Sequence, residues 1–160
     1  MFELVYEPFD VNGVKVSQVL RVSLDAGSQL NRFRASYQGA NDSLAPAVGF
    51  KKVKDEQKQF NGERGWFTIW QRVDKNLGMQ GLAVVVDQHA VDKVTEDRLN
   101  NLLVLKPGIT TPVTYWAGFA WDRAGKITSA ESWNSYVDQF AERLRSPIEV
   151  SHKEAQRSQQ

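Results

Sequence analysis

Residues 14–25 read VKVSQVLRVSLD, and their alternation decides the fold class. Val14, Val16, Leu20, Val22 and Leu24 fall on one side of an extended chain, with Gln18 the one interruption. Lys15, Ser17, Arg21, Ser23 and Asp25 fall on the other. A period of two sustained over this length predicts a strand with one buried face. Asn12-Gly13 stands just before it and Phe2 to Phe9 before that. Asn-Gly supplies the positive φ angles of a tight turn, so the two segments are expected to pair as an antiparallel hairpin.

Working outward, Asp25-Ala26-Gly27-Ser28 is turn chemistry. In the next strand, Leu30 to Gln38, Leu30, Arg32, Arg34 and Ser36 oppose Asn31, Phe33, Ala35 and Tyr37. Leu44 to Val53 reads as a weaker strand, its Pro46 marking an edge or a start. Asp55 to Glu63 is polar and is expected to be an exposed loop. Gly65 to Arg72 and Gly81 to Asp87 are aromatic and β-branched strands, and the unbroken apolar run Leu82 to Val86 predicts burial on both faces. Asn101 to Leu105 and Pro112 to Trp121 are expected to pair across Lys106-Pro107-Gly108. About eight strands at this spacing predict a mainly β chain, an antiparallel sandwich.

One segment breaks the pattern. Over residues 129–145, Trp133, Tyr136, Val137, Phe140 and Leu144 repeat at helical spacing. Thr128 and Glu131 have the spacing of a capping box, and Ser146-Pro147 stops the helix. The expected organisation is one domain over residues 1–150, closed by one C-terminal helix, with a polar tail at 151–160. Ile148 to Val150 is expected to add a short final strand.

Composition narrows the function classes. The chain has 160 residues, 41% hydrophobic and 24% charged, enough to bury a core without disulfides. Lys plus Arg number 20 against 19 Asp plus Glu, a net charge of +1 that lacks the basic excess of a phosphate-binding nucleic-acid partner. Lys51, Lys52, Lys54 and Lys58 are diluted by Asp55 and Glu56 and read as a solvated loop. The absence of cysteine removes thiol catalysis and thiolate metal sites. No run approaches the roughly 20 apolar residues of a membrane span. No signal-peptide pattern opens the chain. No cofactor motif is present, and none is expected.

Asp87, His89 and Asp92 could hold a divalent ion, although ordinary surface charge accounts for them as well and no metal site is expected. The carboxylates Asp10, Asp25, Glu63, Asp74, Asp87 and Asp122 lie near strand ends, and sequence alone selects no catalytic pair. The five tryptophans say more. Trp66 and Trp70 share one face of a strand with Thr68. Trp116 shares a face with Gly118 and Ala120, small neighbours that would leave a flat ring with room above it. A sugar stacks its C–H face on such a ring while polar groups bind its hydroxyls. The competing reading for each tryptophan is core, and Trp133 on the helix stripe is read as core.

Three stretches, residues 2–33, residues 65–73 with 81–87, and residues 112–150, carry a resemblance. The most specific part is SLDAGSQLNRF, Ser23 to Phe33. Together they resemble the later part of bacterial proteins in domain-of-unknown-function family 4861. The resemblance implies a galactose-mutarotase-like β-sandwich, here a partial supersandwich. It implies action on acidic plant or algal polysaccharide fragments such as pectin, in a periplasmic or extracellular setting. A glutamate follows the tryptophan in many relatives where this chain has Gln71, so a possible catalytic carboxylate is missing. Such proteins are much longer than 160 residues. The chain is therefore expected to be a fragment, a shortened member, or a subunit that completes its sheets by association.

The resulting expectation is a domain that binds or acts on uronic-acid-containing oligosaccharides. Its sugar site is expected at Arg21, Asp25, Asn31, Arg32, Trp70 and Trp116, with Arg34 beside them. A paired guanidinium fork would hold the sugar carboxylate. This site requires the Asp25 to Ser28 turn to converge with the Trp66 to Arg72 strand. The alternative is an assembly domain without a ligand, its open sheet covered by another copy in a homo-oligomer.

Overall fold

The computed structural model describes residues 1–39, 44–108 and 112–148. Among them run ten strands: β1 (Phe2–Val11), β2 (Val14–Ser23), β3 (Leu30–Gln38), β4 (Ala47–Lys51), β5 (Gln57–Asn61), β6 (Trp66–Asp74), β7 (Gly78–Val86), β8 (Val91–Glu96), β9 (Asn100–Leu105) and β10 (Val113–Trp121). One α-helix follows, α1 (Ala130–Arg145). Seven strands form one antiparallel sheet in the order β1-β2-β3-β10-β7-β6-β5, and three form a second, β4-β9-β8. The fold is mainly β, two antiparallel sheets in a sandwich-like arrangement with a single C-terminal helix.

The opening hairpin forms as its turn residues require. Asn12 and Gly13 have φ of 52° and 85°, and Asp10 Oδ1 accepts the Gly13 amide at 2.9 Å. Val16, Leu20 and Val22 are buried on one face of β2. β7 is covered on both sides, as its apolar run requires, with Ala83, Val84, Val85 and Val86 all buried.

Four expectations need correction. The polar segment after Asp55 is not simply a loop: β5 forms within it and pairs with β6 at the sheet edge. An edge strand exposes most of its side chains, which hides it from a search for apolar alternation. β9 and β10 do not pair with each other; β9 pairs with β4 and β8, while β10 lies between β3 and β7. The described residues hold ten strands rather than about eight. The helix cap is Ser129 with Ser132, each side chain bonding the other's backbone amide, and not Thr128 with Glu131. Most of the expected final strand and all of the tail fall in residues 149–160, outside the described residues.

The two faces of the large sheet carry two cores. One lies under the small sheet and includes Leu20, Ala35, Phe67, Ile69, Val84, Leu103 and Leu105. Phe33 stacks on Tyr115 there, ring centroids 4.8 Å apart. Burial pushes the Tyr115 phenol up to about 12, with Tyr37 and Tyr6 adding to the shift. The buried Asn101 amide joins the sheets at one margin, donating to Glu56 at 2.8 Å and accepting from Lys58 at 3.0 Å. Lys58 also reaches Glu96 at 3.0 Å, and hydrogen bonds from Lys58 and Lys52 hold the Glu96 carboxyl below its usual range. These lysines are therefore partly committed to structure.

The other core lies under α1, which packs on β6 and β7 through Trp133, Val137 and Ala141 against Trp66, Trp70 and Val85. A Cβ at Gly81 would overlap the Trp133 indole, so glycine is what lets that ring lie on β7. The indole N–H then donates to the Leu82 carbonyl at 3.0 Å. Polar ties hold the helix in place: Trp66 Nε1 and Arg64 both donate to Asp138, and Thr68 donates to Asn134 at 2.7 Å.

Candidate functional site: an arginine and tryptophan cleft beside the helix

α1 covers only the β6–β7 side of its face, and the other side stays open. Register places Arg21, Arg34 and Thr114 in one row across β2, β3 and β10 on that open face. Ser23, Arg32 and Trp116 form the next row. Residues directly opposite in a sheet share a face, so three guanidiniums and one indole stand together beside the helix. All three arginines are exposed and Trp116 is half-buried.

These side chains engage one another in sequence. The Arg32 guanidinium lies over the Trp116 ring, 6.0 Å from its centroid. Trp116 meets Phe140 of α1 edge to face at 6.2 Å, and Arg143 lies over Phe140 at 5.9 Å. A guanidinium resting on an aromatic face keeps its N–H fork free in the plane, which suits it to a planar carboxylate. Arg21 differs, because Glu3 on the neighbouring strand pairs with it. Among the described residues no carboxylate forms an ion pair with Arg32 or Arg34.

Next to this row is a cleft of about 480 Å³. Val85, Thr114 and Trp116 contribute its sheet side, Ala141, Leu144 and Arg145 its helix side, and Asp87-Gln88-His89 one end. This volume lies within the range of small-ligand sites, about 300–1,000 Å³. Arg64 and Arg145 also line the cleft but are balanced by Asp138 and Glu142. Asp87 accepts the His89 backbone amide at 2.9 Å and so caps a single 3-10 turn, Gln88–Ala90. The Gln88 Oε1 atom is buried and has no hydrogen-bond partner among the described residues.

The expected site residues do not all meet here. Arg32 and Trp116 come together, with Arg34 adjacent and Arg21 one strand further out. Asp25 sits exposed in the β2–β3 turn, where its carbonyl accepts the Ser28 amide. Asn31 points to the opposite face of β3, in a shallow hollow with Leu82 and Phe119. Trp70 is only 6% exposed and is core under α1, so it offers no stacking surface. The expected convergence fails for a topological reason. β10 and β7 lie between β3 and β6, and three inter-strand steps separate them by roughly 14 Å. The space expected above Gly118 is also occupied, since a Cβ there would run into the Gln29 carbonyl.

Thr114 and the Asp87–His89 end line the cleft, and Phe140 and Arg143 flank Trp116 beside it, without having been expected there. Phe140 had a signal, its place on the helix stripe, but that signal reads as core. Nothing local assigns Thr114, because its role follows from β10 pairing with β3.

The family described as "Domain of unknown function (DUF4861)" matches residues 1–150. The chain belongs to this family. It is also 31% identical over 156 residues to a protein of Formosa agariphila named "Uncharacterized protein P7". That match takes in 94% of this chain but 38% of the relative, so the chain spans well under half the relative's length. No solved structure matches the chain.

Proposed function

We propose that the cleft binds an acidic, uronic-acid-containing oligosaccharide. The observation that carries this reading is Arg32 lying over Trp116 at 6.0 Å on an open sheet face, beside Arg34. A stacked sugar ring needs an aromatic surface, and its carboxylate needs a cation whose charge is not already taken. The half-exposed Trp116 ring supplies the first requirement. Arg32 and Arg34, without a carboxylate partner among the described residues, supply the second. Thr114 and the Gln88 amide can bond sugar hydroxyls along the same cleft.

The reading stops at binding. Asp87 is occupied as a cap, and position 71 is a buried glutamine on the strand face that points away from α1. Calorimetric titration with galacturonic, glucuronic and alginate oligosaccharides, with neutral oligosaccharides of equal length beside them, tests it. Binding of an acidic series, weakened by added salt and by Arg32→Ala, is the expected result. Equal affinity for charged and neutral ligands refutes the carboxylate role. Product analysis on whichever oligosaccharide binds reveals any turnover.

A further inference from the structure

The opposite face of the large sheet is only partly covered. Seven strands are faced by three. β8 of the small sheet lies over β5 and β6, where Lys58 meets Glu96 at 3.0 Å and Val94 borders a hollow with Phe60 and Phe67. β4 is the opposite edge of the small sheet, paired only with β9 among the described residues, and its Phe50 packs on Phe67 of β6. On β1 the apolar pattern continues without a cover among the described residues. Phe2 and Leu4 share a face with their partners Val22 and Leu20. Val22 and Leu20 are 5% and 8% exposed, while Phe2 and Leu4 are 58% and 43% exposed. On the far half of β10, Phe119 and Trp121 stand 60% and 40% exposed on this same face. Exposed apolar side chains beside a buried row mark an interface.

We infer that the uncovered part of this face, β1 and the Phe119–Trp121 end of β10, is closed by further β-strands. They would come from polypeptide of the kind that makes up the rest of the longer family member. Three observations favour that occupant. More than half of the Formosa relative lies outside the match, enough for a larger second layer. The cover already in place on this face is a sheet layer, and its β4 edge is unpaired on one side among the described residues. Cover arriving sideways on β1 fits less well, because Pro8 and the bulge between Tyr6 and Phe9 interrupt that edge.

The test uses the 160-residue protein alone, and then mixed with the unmatched region of the Formosa relative made as a separate polypeptide. Alone, the protein is expected to be monomeric by light scattering, to bind an apolar-surface dye and to exchange its β1 amides fast. In the mixture a one-to-one complex is expected, with the dye displaced and β1 exchange slowed. Phe119→Asp is expected to weaken that complex by about tenfold or more and to leave the melting temperature of the protein alone unchanged. Three results overturn the inference: no complex, β1 already protected in the isolated protein, or a homodimer that buries Phe119. None of these depends on whether the arginine cleft binds sugar.

Discussion

The two halves of the large sheet use the same alternating pattern to opposite ends. Around β6 and β7 both faces are covered, one by α1 and the other by the small sheet, and the tryptophans Trp66 and Trp70 become core. Around β1–β3 the described residues leave much of the helix-side face open, and on the other face they cover β2 and β3 but not β1. One face carries Arg21, Arg32 and Arg34, and the other carries Phe2, Leu4 and Tyr6. A tryptophan in the covered half therefore acts in stability, while Trp116, at the boundary, stays half-exposed. Periodicity decides which way a side chain points. What lies above it decides what it does.

The largest expected effect is in the covered half. Trp133→Ala removes a fully buried ring and its bond to Leu82, and should cost about 3–5 kcal/mol in urea unfolding. Leu20 and Leu4 then set covered against open surface within one hairpin, as direct cross-strand neighbours. Leu20→Ala should cost about 2–5 kcal/mol. Leu4→Ala should cost less than about 1 kcal/mol, because its side chain is already exposed to water. Equal losses at the two positions would remove the contrast.

Alkaline pH sharpens it from another side. Tyr115 holds its proton to about 12 in the folded state through burial, and Tyr37 is raised for the same reason. Each ionises more readily once unfolded. The stability they contribute is therefore complete below about pH 10 and is lost as pH rises toward 12. Melting temperature should fall over that window, and Tyr115→Phe should flatten the fall. Arg32→Ala, the smallest structural perturbation, should shift stability by no more than about 0.5 kcal/mol. Its effect should appear in acidic-oligosaccharide affinity, weakened by about tenfold to a hundredfold.

Much of the fold was legible in the sequence. The β1–β2 hairpin, the β2 and β3 faces, the doubly buried β7 and the helix each have a local signal: a turn pair, a period of two, an apolar run, a period of three to four. Pairing between distant strands has no such signal. Nothing near Asn101 announces that β9 leaves the large sheet to join β4 and β8, and polar β5 looks like a loop because an edge need not be apolar. The site divides in the same way. Arg32 and Trp116 were legible as residue types, but their meeting depends on β10 inserting beside β3. Trp70 looked equivalent to Trp116 until the helix was placed over it.

The central claim is that the open arginine face of β3 and β10, and not the buried Trp66–Trp70 strand, recognises an acidic sugar. Amide chemical shifts followed during titration with a uronic-acid oligosaccharide test this most directly. The account predicts that shifts concentrate at residues 32–34, 87–89 and 114–116 and vanish in Trp116→Ala. Shifts centred on β6, or none at millimolar ligand, would contradict it.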